Sequence, residues 1–110
     1  MNIRLNQLVG SPYDIITILR YLPILNIPAT IEDYGSVNND EFELFYITFL
    51  NNTVNTLTEL KTTLINIQKY LIHNSTEHIY VRLTINYKDF TICVSPDRDI
   101  DFTEIERNDL

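Results

Sequence analysis

Residues 51–95 read NNTVNTLTELKTTLINIQKYLIHNSTEHIYVRLTINYKDFTICVS, a long amphipathic helix feeding a β-hairpin. Val54, Leu57, Leu60, Leu64, Ile67 and Leu71 recur at steps of three and four, which gathers them on one helical stripe. Asn55, Thr58, Glu59, Lys61, Thr62, Asn66 and Lys69 fall on the opposite face. The spacing predicts a helix from Thr53 to His73, roughly 30 Å long, enough to lie across a small sheet. Thr56 and Glu59 have the spacing of a capping box, and Asn51, Asn52 and Thr53 are equally good earlier caps. His73, Asn74 and Ser75 end the helix, with Lys69 and His73 near the negative end of its dipole.

The hairpin follows. Ile79, Val81, Leu83, Ile85 and Tyr87 alternate with polar neighbours, and Phe90, Ile92 and Val94 alternate with Thr91, Cys93 and Ser95, the period of half-buried strands. A turn over Lys88-Asp89 pairs Tyr87 with Phe90, Ile85 with Ile92 and Leu83 with Val94, so one register buries all six. Lys-Asp is poor chemistry for a two-residue loop; a four-residue loop keeps the same register.

Upstream, Ile3 and Leu5 mark a short first strand that Gly10 breaks. Ser11-Pro12 reads as N-cap and first helical residue, with Asp14 in the first turn. Ile15, Ile18, Leu19 and Leu22 form the stripe of a first helix that ends before Pro23. Ile27 to Ile31 is expected as a second strand, held to an edge by Pro28, and Tyr34 to Asp40 as a loop. Phe42 to Leu50 is the third strand, with Phe45, Ile47 and Phe49 on one face and Leu44, Tyr46, Thr48 and Leu50 on the other. Asp101 or Thr103 caps a last short helix through Arg107.

The order β-α-β-β-α-β-β predicts an α+β single domain over residues 1–110. Its first six elements are those of the ferredoxin-like fold, and the added C-terminal strand extends an edge. Helices cover one face of an antiparallel sheet, strand four lies beside strand one, and strand three lies between one and two. The open face then presents Arg4, Leu44, Tyr46, Thr48, Tyr80, Arg82, Thr84 and Cys93, a mixture suited to an interface.

Composition narrows the function. The 110 residues carry a net charge of −7, and no Lys or Arg stands between Tyr21 and Leu60. Nucleic-acid binding needs a basic footprint that this chain lacks. A basic protein partner suits Glu32, Asp33, Asp40, Glu41 and Glu43 better, beside the plainer reading of an acidic solvated surface. A single cysteine excludes an internal disulfide and fits a reducing, cytoplasmic compartment. There is no signal-peptide pattern, and Glu59, Lys61 and Lys69 interrupt the longest apolar pattern, so no membrane span is expected.

Candidate chemistry is sparse. The expected register sets Cys93 near Thr84, roughly 20 Å along the strand from His78, which argues against a thiolate–imidazole pair. His73, Glu77 and His78 make a thin metal set, so neither a metal nor a cofactor is expected. Asp97, Asp99 and Asp101 open like a calcium loop, but Phe102 and Asn108 occupy the places that need Gly and Glu. The third strand lacks the basic residue and glycines of RNA-binding sheets, and Gly10 and Gly35 make no phosphate loop.

The chain also resembles the small effector-associated constant component proteins of bacterial conflict and defence systems. The similarity begins with the first strand and residues 11–22, SPYDIITILRYL, a capped helix ending in a Leu-Arg-aromatic-Leu motif. It resumes from Leu44 to Leu50, runs through the long helix to Gln68-Lys69-Tyr70-Leu71, and finishes in the hairpin. Tyr21-Leu22 and Tyr70-Leu71 stand where the family usually has Trp-Leu, the long helix is not alanine-rich, and the hairpin lacks the usual Asp-Gly. The resemblance implies a non-catalytic adaptor that joins a protease-like or NTPase effector to a sensing component. The residues alone leave open a second reading, an acidic inhibitor or decoy of phage or mobile-element origin. Self-association through the open face stands level with hetero-association.

Overall fold

The structure, a computed structural model, describes residues 2–21, 30–38, 43–50, 53–74 and 77–107. Its elements are β1 (Ile3–Gly10), α1 (Pro12–Tyr21), β2 (Thr30–Asn38), β3 (Glu43–Leu50), β4 (Thr53–Val54), α2 (Leu57–Asn74), β5 (Ile79–Ile85), β6 (Lys88–Val94) and α3 (Thr103–Arg107). The fold is α+β, built on a six-stranded antiparallel sheet of order β2-β3-β1-β5-β6, with β4 also paired to β1.

Alternate strand residues form the core. Ile3, Leu5 and Leu8 of β1, Ile47 and Phe49 of β3, Ile79, Val81, Leu83 and Ile85 of β5, and Ile92 and Val94 of β6 pack beneath Ile15 and Ile18 of α1 and Leu60, Leu64, Ile67 and Leu71 of α2. Strand neighbours of these residues point the other way, so the helices cover a single face. The step from Leu5 to Leu8 crosses a bulge between Leu5 and Gln7 that returns the apolar residues to the core side. At the end of β1, Gly10 makes room for β5, since a Cβ there would lie 2.7 Å from Ile79 Cγ2. Ser11 then caps α1: its Oγ accepts from the Asp14 amide at 3.3 Å and donates to Asp14 Oδ2 at 2.9 Å.

Three sequence expectations are corrected. The second strand is Thr30–Asn38, so Tyr34–Asn38 are strand rather than loop; Ile27, Pro28 and Ala29 lie outside the described residues, as do Asn39 and Asp40. Pairing with β3 overrides the turn propensity of Gly35, Ser36 and Asn38. The long helix begins at Leu57, not Thr53, because Thr53 and Val54 pair with Arg4 and Ile3. Thr56 is its cap: Thr56 Oγ1 accepts from the Glu59 amide at 3.1 Å, and Glu59 Oε2 accepts from the Asn55 amide at 3.2 Å. The third strand is described from Glu43, with Phe42 outside the described residues.

The third correction is the hairpin register. The turn is Asn86-Tyr87, both with positive φ (50° and 69°), and not Lys88-Asp89. Leu83 therefore faces Phe90, Val81 faces Ile92 and Ile79 faces Val94. A two-residue turn with two positive φ values twists in the same sense as its strands, which longer loops do less well. The register moves by an even number of residues, so Leu83, Ile85, Phe90, Ile92 and Val94 remain on the core face, whereas Tyr87, expected among them, is taken into the turn and is exposed.

The C-terminal segment is tied to α2. Gln68 Nε2 donates to the carbonyls of Ser95 (3.1 Å) and Arg98 (2.6 Å), and Lys61 Nζ pairs with Glu106 at 2.6 Å while lying 5.3 Å from the Phe102 ring centre. Asp101 Oδ1 accepts from the Thr103 amide at 2.9 Å, capping α3 over the buried Ile105. No helix among the described residues is long and apolar enough to cross a membrane.

Candidate interaction site on the open sheet face

Residues directly opposite one another in paired strands share a face, so the register assigns the uncovered side of the sheet. One row runs Gly35, Tyr46, Val9, Tyr80, Cys93 across all five main strands. The next runs Asp33, Thr48, Gln7, Arg82, Thr91. Arg4 and Thr84 pair on the same face further along, and Leu44 lies beside Val37 toward the other end. Arg4, Leu44, Tyr46, Thr48, Tyr80 and Arg82 are therefore brought together on one surface. Tyr46 and Tyr80 point the same way, two strand spacings or about 10 Å apart.

The face is organised by a few hydrogen bonds. Arg82 Nη1 donates to Gln7 Oε1 at 3.3 Å, and Gln7 Nε2 donates to Thr48 Oγ1 at 3.1 Å, a polar chain across three strands. These groups, with Asn6, Asp89 and Thr91, line a depression of about 240 Å³ beside the β1 bulge. Tyr46 lies over Gly35, where a Cβ would come within 3.2 Å of its hydroxyl oxygen, and that hydroxyl donates to Asp33 Oδ2 at 3.1 Å. The bond, and next the nearby negative charge, raise the Tyr46 pKa above its ordinary value. Tyr46 is half-buried, whereas Tyr80 is 40% exposed and Val37 54%.

Gln7, Val9 and Asn6 were not anticipated. Their signal was available in β1, where the apolar residues change parity between Leu5 and Leu8. Glu32, Asp33 and Glu43 are exposed on the β2–β3 pair, and Asp33 doubles as the partner of Tyr46. Asp40 and Glu41 lie outside the described residues.

Compared with family models, curated proteins and solved structures, this chain matches none.

The observed register changes the histidine–cysteine geometry. Cys93 faces Tyr80, not Thr84, and His78 Nε2 lies 3.0 Å from the Tyr80 hydroxyl with its ring edge-on. The observed register therefore does not hold Cys93 the expected distance of roughly 20 Å along the strand from His78. Cys93 is half-buried on the adjacent strand. His73 and Glu77 instead line a broad depression against Tyr13 and the start of α1, so the three residues of the thin metal set are not gathered. Among the described residues, no group of three or more His, Cys, Asp or Glu side chains is placed to hold a metal ion.

The acidic run is divided among structural tasks. Ser95 Oγ donates to Asp97 Oδ1, which holds the Asp97 carboxyl below its ordinary pKa, with Arg98 adding to the effect. Hydrogen bonding from the Thr103 side chain, and next from the Thr103 amide, does the same for Asp101.

Proposed function

We propose that this chain is a non-catalytic protein-interaction adaptor that grips another polypeptide with its open sheet face. The observation that supports this best is the row Tyr46, Val9, Tyr80 on a side of the sheet that the described helices leave bare, flanked by Arg4 and Arg82. Tyrosine and arginine are the residue types enriched where proteins meet, and the held Arg82 guanidinium suits a carboxylate or carbonyl of the partner. A specific contact covers about 800 Å² on each side. That is a modest share of a surface of 6814 Å².

The ferredoxin-like reading belongs to the same proposal. It takes β2-β3-β1-β5 as the four basic strands, with β6 as the added edge and β4 as an insertion before α2. The resemblance to effector-associated constant components supports a place in a bacterial defence system. There the partner is a protease-like or NTPase effector, and the compartment is the cytoplasm.

The test uses the products of the genes beside this one, purified and mixed with the chain, with complex formation followed by size-exclusion chromatography and light scattering. Tyr46→Ala with Tyr80→Ala should abolish the complex while circular dichroism stays unchanged. Undiminished binding by the double variant sinks the open-face reading. A second reading, an acidic inhibitor that occupies a basic groove, is favoured by the exposed Glu32, Asp33 and Glu43. It predicts affinity that falls steeply with ionic strength, whereas an apolar-face adaptor is much less salt-sensitive.

A further inference from the structure

β6 offers a second surface, at the sheet edge that borders the open face. It stands at one end of the strand order and pairs with β5 alone among the described residues. The two-residue turn decides which of its backbone groups face outward. Ile85 and Lys88 flank that turn and form a hydrogen-bonded pair, and such pairs alternate with non-hydrogen-bonded ones along the ladder. Phe90, Ile92 and Val94 therefore direct N–H and C=O to β5, while Thr91 and Cys93 direct theirs away from it.

Thr91 and Cys93, with Phe90 and Ile92, line one side of a groove of about 240 Å³. Its far wall is the C-terminal segment, through Arg98, Asp99, Asp101 and Glu104. Among the described residues no backbone hydrogen bond joins this segment to β6, so the groove is a gap beside a free strand edge and not a seventh strand. The wall is held in place by the two bonds from Gln68 and the Lys61–Glu106 pair.

We propose that this groove takes an extended, lysine- or arginine-bearing segment of a partner protein as an additional strand beside β6. The outward N–H and C=O groups of Thr91 and Cys93 give main-chain pairing, the part of such recognition that does not depend on sequence. The wall gives the preference, since three carboxylates outnumber the one guanidinium of Arg98. Charge also argues against a second copy of this chain as the occupant. Edge-to-edge pairing would bring two walls of Asp99, Asp101 and Glu104 together in molecules that each carry −7.

The probe is a short fluorescein-labelled peptide of alternating lysine and valine, with a glutamate–valine peptide as its counterpart. Fluorescence anisotropy should detect binding of the first and none of the second. Amide hydrogen exchange should slow at Thr91 and Cys93 on binding, with Tyr34–Val37 at the opposite sheet edge unchanged. Asp99→Lys with Glu104→Lys should weaken binding about tenfold. Thr91→Pro removes an outward N–H and leaves the ladder to β5 intact, so it should weaken binding as well. Equal binding of the glutamate peptide, protection at Tyr34–Val37 instead, or affinity unmoved by the charge reversal would each overturn the proposal. A peptide-free dimer protected at Thr91 and Cys93 would overturn it too. Should Thr91→Pro fail to fold, the charge reversal and the exchange pattern still decide.

Discussion

Tyr87→Gly should stabilise this protein. Tyr87 sits in the hairpin turn with φ of 69° and is 89% exposed, so its ring contributes little burial while its Cβ is strained. A non-glycine residue in the left-handed region costs about 1–2 kcal/mol. Glycine relieves that strain but adds about 0.5–1 kcal/mol of unfolded-state entropy to be overcome. The net gain is about 0.5–1 kcal/mol, and the turn would then read Asn-Gly, the dipeptide most favoured for this geometry. At about 2.1 cal/mol/K of unfolding entropy per residue, the midpoint should rise by roughly 2–4 °C. Thermal unfolding followed by circular dichroism is sensitive enough to see this. Lys88→Gly is the control, because Lys88 is a strand residue opposite Ile85 and glycine there should be destabilising. If Tyr87→Gly lowers the midpoint while Lys88→Gly raises it, the turn lies over Lys88-Asp89 and the register is wrong. The outward-facing groups assigned to β6 would fall with it.

Two further outcomes follow from local geometry. Gly10→Ala should cost about 1–3 kcal/mol in urea unfolding, because the new methyl meets Ile79 inside the core; an unchanged midpoint would show that β5 can retreat from β1 at that point. Asp97 and Asp101 both have carboxyl pKa values lowered from the ordinary 3.8, by the bonds from Ser95 and from Thr103 respectively. A lowered folded value means that their contribution is complete above the unfolded pKa and is lost as pH falls through the folded one. Stability measured in descending pH should drop on that acid limb, and Asp97→Asn with Asp101→Asn should flatten it.

Much of the scaffold was readable where one physical signal dominated. The stripe Leu60, Leu64, Ile67, Leu71 and the alternation Ile79, Val81, Leu83, Ile85 are buried as the periodicity required. The Ser11 cap and the Asp101 cap are where short polar side chains precede helices. Two misreadings share a cause, a long-range pairing that outweighed a local preference. Thr53-Val54 carries a plausible helix start but is claimed by β1, and Gly35-Ser36 has turn chemistry but is claimed by β3. The hairpin slip was different. Two registers bury the same face, so apolar alternation could not choose between them, and the deciding residue was Asn86, one of the few types at ease with positive φ. On the open face the aromatic and cationic residues were legible from strand parity. Gln7 and Val9 were not, because the bulge reverses parity midway along β1.

Gly35 shapes the open face by what it lacks. Nothing rises from β2 at that position, so the Tyr46 ring can recline across the neighbouring strand and reach Asp33 instead of standing upright. Two strands away on β5, by contrast, Tyr80 is exposed and its hydroxyl meets His78. A visiting surface therefore meets one reclining ring and one exposed ring, and a bulky graft at residue 35 would alter that relief without substituting either tyrosine.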